Sequence, residues 1–537
     1  MGISPLGGFE TRVRTVISRY SAGRAAQRSL PKVMYDGRRC HATRRISLII
    51  VAHEEKHVAL SMQWFTAKPS RRHNPQPLQN GEREVAMKTT IRIGAGAAWW
   101  GDRIEPAALN AERGELDYLC FETMAEATVS AAQVRARRDP SFEGYDTYLD
   151  DRMRAVLPAC LRQGTKIISN QGWINPDAAA RRIVHWLREL GHTGVKVASV
   201  NGSLITERVL DLTDRILENG EPTASLQPTL ISAEAYLGAE PIVEALKAGA
   251  QIVVTGRVAD PSLFMAPMMY EFGWDPLDHA KLGQGMGIGH LMECGAQVTG
   301  GYFSDPGFKD VPEPWNFGFP IAEVDADGNA VITKVAGTGG AVTLQTVKEQ
   351  MLYEVHDPAN YLTPDVVVDF TTARIEQVGP DRVRVAHIGG KPRTPTLKVS
   401  IGCAEGFIGE DMFFYAGPGA LRRAQLAKTI LEHRFRIVGL QAEEYRVDFL
   451  GLNAIHGAAT PADAPEPYEI AVRVSARTKT REEAAKVGRE VDGMAVSGIA
   501  HTGKRVPHAD RTREVIGVWS SLVPREQVPA SINYFES

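Results

Sequence analysis

The sequence predicts an α/β fold: a parallel sheet with flanking helices in the N-terminal part of the body, followed by a smaller α+β C-terminal part. Two observations predict it. Short β-branched or aromatic runs end repeatedly in glycine or polar residues and then give way to helical periodicity, an alternation that calls for right-handed crossovers and a parallel sheet. After about residue 361 that alternation stops, and strands cluster around two longer helical stretches. Apolar content of 43% and charged content of 23% are those of a folded globular chain, and 537 residues are too many for one ordinary core.

Residues 1–86 stand apart. They hold 15 Lys and Arg against 6 Asp and Glu, whereas the rest of the chain holds 46 against 58. With no sustained period and a Ser, Arg, Asn, Pro and Gln-rich end over 69–83, the segment reads as a disordered basic extension. Two origins are expected for it: translation from an upstream start, the natural start being Met87, or a targeting peptide in the Arg-rich residues 11–30. The acidic body argues against nucleic-acid binding. The longest apolar run, 46–52, is too short to cross a bilayer. Five cysteines lack CxxC spacing, which fits a reduced cytoplasm; an organellar location is the alternative if 1–86 is a targeting peptide.

Along the body, residues 90–93 read as a strand leading into a Gly94, Gly96 loop, and 118–121 as a strand leading into Glu122. Residues 166–169 form the next, leading into Asn170, Gly172 and Asn175, before an amphipathic helix over 177–189. The stretch 251–264, QIVVTGRVADPSLF, condenses the pattern: a buried strand, a break at Gly256, Asp260 as N-cap and Pro261 at the first helical position. Apolar residues between the glycines of 283–307 point to close backbone approach. DADGN at 325–329 gives a hairpin with type I′ chemistry between two strands of 321–335. AGTGG at 336–340 precedes a helix over 341–353, so the amides at Thr338, Gly339 and Gly340 form either an anion site at a helix start or a plain turn. In the C-terminal part, 383–388, 396–401, 445–449 and 469–475 read as strands, and 420–435 and 481–491 as helices, the last capped by Thr478. The segments are therefore 1–86, 87–355 and 356–537.

Ligands of open α/β sheets gather outside the carboxyl ends of parallel strands, so the polar residues at those ends are candidates. Arg257 is either an anion-holding group or a surface ion pair, and Asp260 either a site carboxylate or a cap. Glu122, with Glu126 a turn on, is either a general base or acid at a desolvated rim or a cap. His290, Glu293 and Cys294 share a helix face in HLMEC, compatible with an activated thiolate, with metal ligation or with plain burial. Gly94 and Gly96 imitate a dinucleotide fingerprint, but Trp99 stands where the third small residue belongs.

Eight blocks also carry a family likeness: GDRIEPA (101–107), LDYLCFETMAEAT (116–128), SNQGWINP (169–176), AYLGAEPI (235–242), TGRVADPSLF (255–264), GHLMECGAQVTGGYFSDPG (289–307), GTGGAVT (337–343) and REVIGVWSSLVP (513–524). In this order over about residues 87–529 they resemble the acyclic terpene utilisation family, AtuA. The resemblance implies a place in degradation of citronellol- and geraniol-type compounds through acyl-CoA intermediates, with no assigned reaction. Its GDRIEPA block adds Asp102 and Arg103 to Gly94, Gly96, Thr338, Gly339 and Gly340 as candidate ligand contacts. Many members continue into a small ferredoxin-like domain after the VWSSLVP block, so a separately encoded partner of that kind is expected here.

The leading expectation is a cytoplasmic, homo-oligomeric enzyme of lyase or hydratase type acting on an acyl-CoA or related branched carboxylate. No membrane partner, metal or cofactor beyond the CoA thioester is expected. Arg257 and the amides at Gly339 would hold anionic groups, Glu122 or Asp260 would move a proton next to the carbonyl, and Asn170 would orient the substrate, with His290 and Cys294 as further catalytic candidates. The alternative is a non-catalytic scaffold or accessory subunit of an acyl-CoA carboxylase system.

Overall fold

A computed structural model describes residues 88–504 and 511–537; the basic extension expected over 1–86 lies outside the described residues. The first half of the body supplies β1 (Thr90–Ala98), α1 (Glu105–Arg113), β2 (Tyr118–Glu122), α2 (Thr128–Arg138), α3 (Leu149–Gln163), β3 (Lys166–Ser169), α4 (Pro176–Glu189), β4 (Lys196–Asn201), β5 (Leu230–Ala235), α5 (Glu240–Lys247), β6 (Ile252–Thr255), α6 (Ser262–Phe272) and α7 (His279–Glu293). β1, β2, β3, β6 and β4 lie side by side and parallel, as the alternation requires. Side chains alternate between two helical layers: Leu119 and Phe121 pack with α1, α3 and α4, and Cys120, Ile168 and Val253 with α5, α6 and α7.

The sheet is mixed rather than purely parallel. β7 (Pro320–Asp325) and β8 (Ala330–Lys334) form the expected hairpin, and β7 joins β1 antiparallel. Asp325 N donates to Asn329 O at 2.9 Å with Gly328 alone at positive φ, so the turn is type I followed by a glycine bulge; type I′ would need two such residues. After α8 (Leu344–Leu352) come the short β9 (Tyr361–Leu362) and β10 (Val367–Asp369), then β11 (Arg374–Gly379) and β12 (Arg382–Ala386), which extend the large sheet beyond β8.

The rest of the chain builds a second sheet on one long strand. β13 (Gly389–Lys391) is followed by β14 (Thr396–Ala416), α9 (Ala420–Ile437), β15 (Glu444–Leu450), β16 (Glu469–Thr478), α10 (Arg481–Ser497), β17 (Gly503–Lys504), β18 (Thr512–Pro524) and β19 (Ser531–Glu536). β14 pairs with β5 and β18 over its first half and with β16 over its second. β19 returns to the large sheet beside β4. Thr478 does not cap α10; Thr480 accepts from Glu483 N at 3.3 Å, because β16 runs on to Thr478 and buries its hydroxyl against Phe407 and Thr480 carbonyls.

α7 keeps four glycines inside a buried helix despite their cost of about 1 kcal/mol each. A Cβ at Gly289 would strike the Pro261 carbonyl and one at Gly283 the Gly389 carbonyl. Only glycine lets α7 come this close to the start of α6, and that approach fixes His290 and Glu293 in place.

Candidate active site

Four neighbouring strands finish at one rim. β1 reaches Ala98 opposite Glu122, β2 places Phe121 beside Ser169, and Ser169 pairs in register with Val254 of β6. Glu122, Asn170 and Arg257 therefore project from adjacent strand ends. Glu122 is buried; its Oε1 accepts from Met124 N at 2.5 Å and from Asn170 Nδ2 at 3.1 Å. Both bonds fall on Oε1, which leaves Oε2 for a proton. Burial, and then the charge of Asp260, push Glu122 well above the carboxylate range, against the pull of those hydrogen bonds and of Arg257.

Asn170 does not face open space. Fully buried, it bonds Glu122 through Nδ2 while Oδ1 accepts from Thr123 N at 2.7 Å and Thr123 Oγ1 at 3.1 Å. The amide expected to orient substrate instead holds the β2 loop and its carboxyl.

Arg257, expected to hold a substrate anion, is 1% exposed and engaged by the protein. Nε donates to Glu234 Oε1 at 3.3 Å, Nη1 to Met124 O at 2.8 Å, and Nη2 to Ala125 O at 2.8 Å. Its guanidinium stacks 4.7 Å from the Tyr236 ring. The arginine is an internal clamp that pins the loop after Glu122 to β5. Asp260 is not an N-cap: α6 begins at Ser262 with Pro261 before it and no side-chain cap, because Asp260 Oδ1 turns to Arg257 Nη1 at 3.4 Å. The Asp260 side chain is part-buried, at 31% exposure, and this desolvation outweighs Arg257 to raise it to about 6.

Two residues absent from the expected set complete the centre. Glu234, from β5, is pushed up to about 7 by burial even though Arg257 opposes it. At the mouth, half-exposed Lys398 of β14 lies 3.8 Å from Glu126 Oε1 and 5.0 Å from the Tyr236 ring. A glutamate between two buried alanines in ISAEAY was the available signal for Glu234.

His290 Nδ1 lies 2.8 Å from Glu293 Oε1, as their helical spacing requires, and the imidazole packs on Tyr361 and Phe370. Burial lowers His290 to about 4 and raises Glu293 well above its usual range. The Cys294 thiol is raised by burial and by the Glu293 charge. Burial disfavours the charged forms of both the His290 imidazole and the Cys294 thiol, and neither shift supports an activated thiolate. Among the described residues no group of three or more His, Cys, Asp or Glu is arranged to hold a metal ion.

The glycine-loop expectations are also corrected. Gly94 and Gly96 lie inside β1, where a Cβ would meet Leu116 and Phe121; they serve packing. Asp102 accepts from Ala98 N at 2.9 Å and Arg103 N at 2.7 Å and so ties off the end of β1, while Arg103 is exposed and reaches the Trp315 carbonyl. The amides of Thr338, Gly339 and Gly340 are not free: they donate to the carbonyls of Val335, Asn316 and Pro312. The helix itself starts later, at Leu344 behind a Thr343 cap.

The family model described as acyclic terpene utilisation family protein AtuA matches residues 91–534, nearly the whole described body. The chain belongs to that family. No curated protein and no solved structure matches it. In this AtuA-family chain four of the eight blocks quoted above carry the residues just described: LDYLCFETMAEAT carries Glu122, SNQGWINP Asn170, TGRVADPSLF Arg257 and Asp260, and GHLMECGAQVTGGYFSDPG His290 and Glu293. No helix of the described residues is long and apolar enough to cross a membrane.

Proposed function

We propose that the chain is an acid–base enzyme of acyclic terpenoid or branched-chain acyl-CoA breakdown, of lyase or hydratase type. One arrangement supports this: Glu122 at the end of β2 and Asp260, 3.4 Å from Arg257, stand at one rim, and burial raises both carboxyls, Glu122 well above its usual range and Asp260 to about 6. Two carboxyls separated in this way suit the acid and base of one reaction. In the dehydrating direction Asp260, ionised at neutral pH and part-buried, takes the proton next to the thioester carbonyl. The C–H electron pair becomes the new double bond, the β C–O bond breaks, and Glu122 protonates the departing hydroxide to water. Hydration is the reverse. Lys398 at the mouth offers positive charge for the carbonyl oxygen as the α proton leaves.

The test is turnover of a panel of branched acyl-CoA thioesters followed by mass spectrometry for gain or loss of water. Wild type is expected to convert at least one, and Glu122→Gln and Asp260→Asn each to lose about 10²-fold or more. Pathway flux that survives both substitutions but not deletion of the chain would replace catalysis with an accessory role.

A further inference from the structure

α2 leaves the site loop and ends in a run of arginine. One face of it, Ala131, Val134, Arg135 and Arg138, lines a groove of about 410 Å³ whose other wall is Arg481, Arg513 and Ile516. A smaller cavity of about 230 Å³ continues it past Arg137 to Pro228–Ile231. The floor is apolar and four arginines line the larger groove against one carboxylate, Glu514, on a body whose charge is otherwise acidic. Arginines in the last turn of α2 complement the helix dipole. Arg481 and Arg513 belong to other elements, and the dipole does not account for them.

The groove has a direction. It starts at Ala131, one turn beyond Thr128 and five residues beyond Glu126, and runs to Arg138. β5 repeats this course: Glu234 sits in the site, while Ile231, whose carbonyl accepts from Arg137 Nη2 at 2.8 Å, lines the far end. The 11 residues of α2 span about 15 Å. A pantetheine arm, taken as four extended residues, spans roughly 14 Å.

We propose that this groove binds the phosphate-bearing end of a CoA thioester, with the pantetheine arm along α2 and the acyl group at Asp260 and Glu122. The assignment rests on the acyl-CoA reading of the site and adds where the carrier lies. Arg138 is paired with Glu514 and Arg135 stacks 4.3 Å over the Phe142 ring with Asp139 at 3.9 Å, so both are held in place, and exposed Arg513 stands on the opposite wall; these three would meet the phosphates.

The experiment is calorimetric titration of the full chain with CoA, ADP and pantetheine. CoA and ADP are expected to bind, more weakly as salt rises, with pantetheine far behind. Arg135→Glu combined with Arg513→Glu is expected to weaken CoA by about tenfold or more with an unchanged circular dichroism spectrum. Equal CoA affinity in the double variant, or none in wild type, overturns the proposal. If the double variant misfolds, inorganic pyrophosphate must displace CoA from wild type; failure to compete overturns it equally. Binding needs no turnover, so intact CoA binding without product sinks the acid–base reading alone. Turnover with CoA affinity indifferent to the arginines sinks the groove alone.

Discussion

Replacing Arg257 with methionine separates an internal clamp from a substrate-holding group. The guanidinium satisfies the carbonyls of Met124 and Ala125, each at 2.8 Å, and faces Glu234 at 3.3 Å and Asp260 at 3.4 Å. Removing one partner of a buried ion pair costs about 3–5 kcal/mol because a charge is left uncompensated. Glu234 softens that cost. It already titrates at about 7 with the arginine present, so it takes up a proton when the cation goes. The remaining penalty, two buried carbonyls without donors and a released loop, places Arg257→Met near 3 kcal/mol, at the lower end of that range. Urea unfolding at pH 7 followed by circular dichroism reads it as a lower midpoint at unchanged slope. A loss below about 1 kcal/mol would refute the clamp and return Arg257 to the substrate side.

Glu234 holds its proton more tightly folded than unfolded, so between its ordinary 4.5 and about 7 the folded chain carries the extra proton and stability falls as pH rises. The decline attributable to it is roughly 3 kcal/mol, and Glu234→Gln is expected to flatten it in melts across pH 4.5 to 7.5; parallel slopes would contradict the assignment. Cys294 is expected to resist iodoacetamide at pH 8, and Cys294→Ser to keep turnover within about threefold; rapid alkylation seen by mass spectrometry would restore a reactive thiol. Gly289→Ala drives a methyl into the Pro261 carbonyl and should destabilise by about 1–3 kcal/mol, whereas an unchanged melting temperature would show that α7 can withdraw without cost.

The parallel strands were legible because buried β-branched runs ending in glycine or polar residues recur, and the register brings those ends to one rim. Roles at the rim were less legible. Asp260 followed by Pro261 has the local chemistry of a cap, yet Arg257 three residues earlier attracts the carboxylate more strongly than the helix amides do. The GTGG amides at 337–340 read as a helix start, but carbonyls brought in from residues 312–316 occupy two of them. Glu234 and Lys398 were missed because β5 pairs with β14, more than 160 residues away, and no local period announces that pairing. The mixed sheet has the same origin: β11, β12 and β19 come from the C-terminal part and attach to edges of a sheet begun at Thr90.

The most direct test of the proposed acid–base role is proton exchange, which precedes any commitment to hydration or cleavage. A branched acyl-CoA incubated with the chain in D₂O is expected to take up deuterium next to the carbonyl, seen by mass spectrometry. Asp260→Asn is expected to abolish the uptake. No enzyme-dependent uptake across the thioester panel, or uptake that Asp260→Asn leaves intact, would contradict the claim that Asp260 moves that proton.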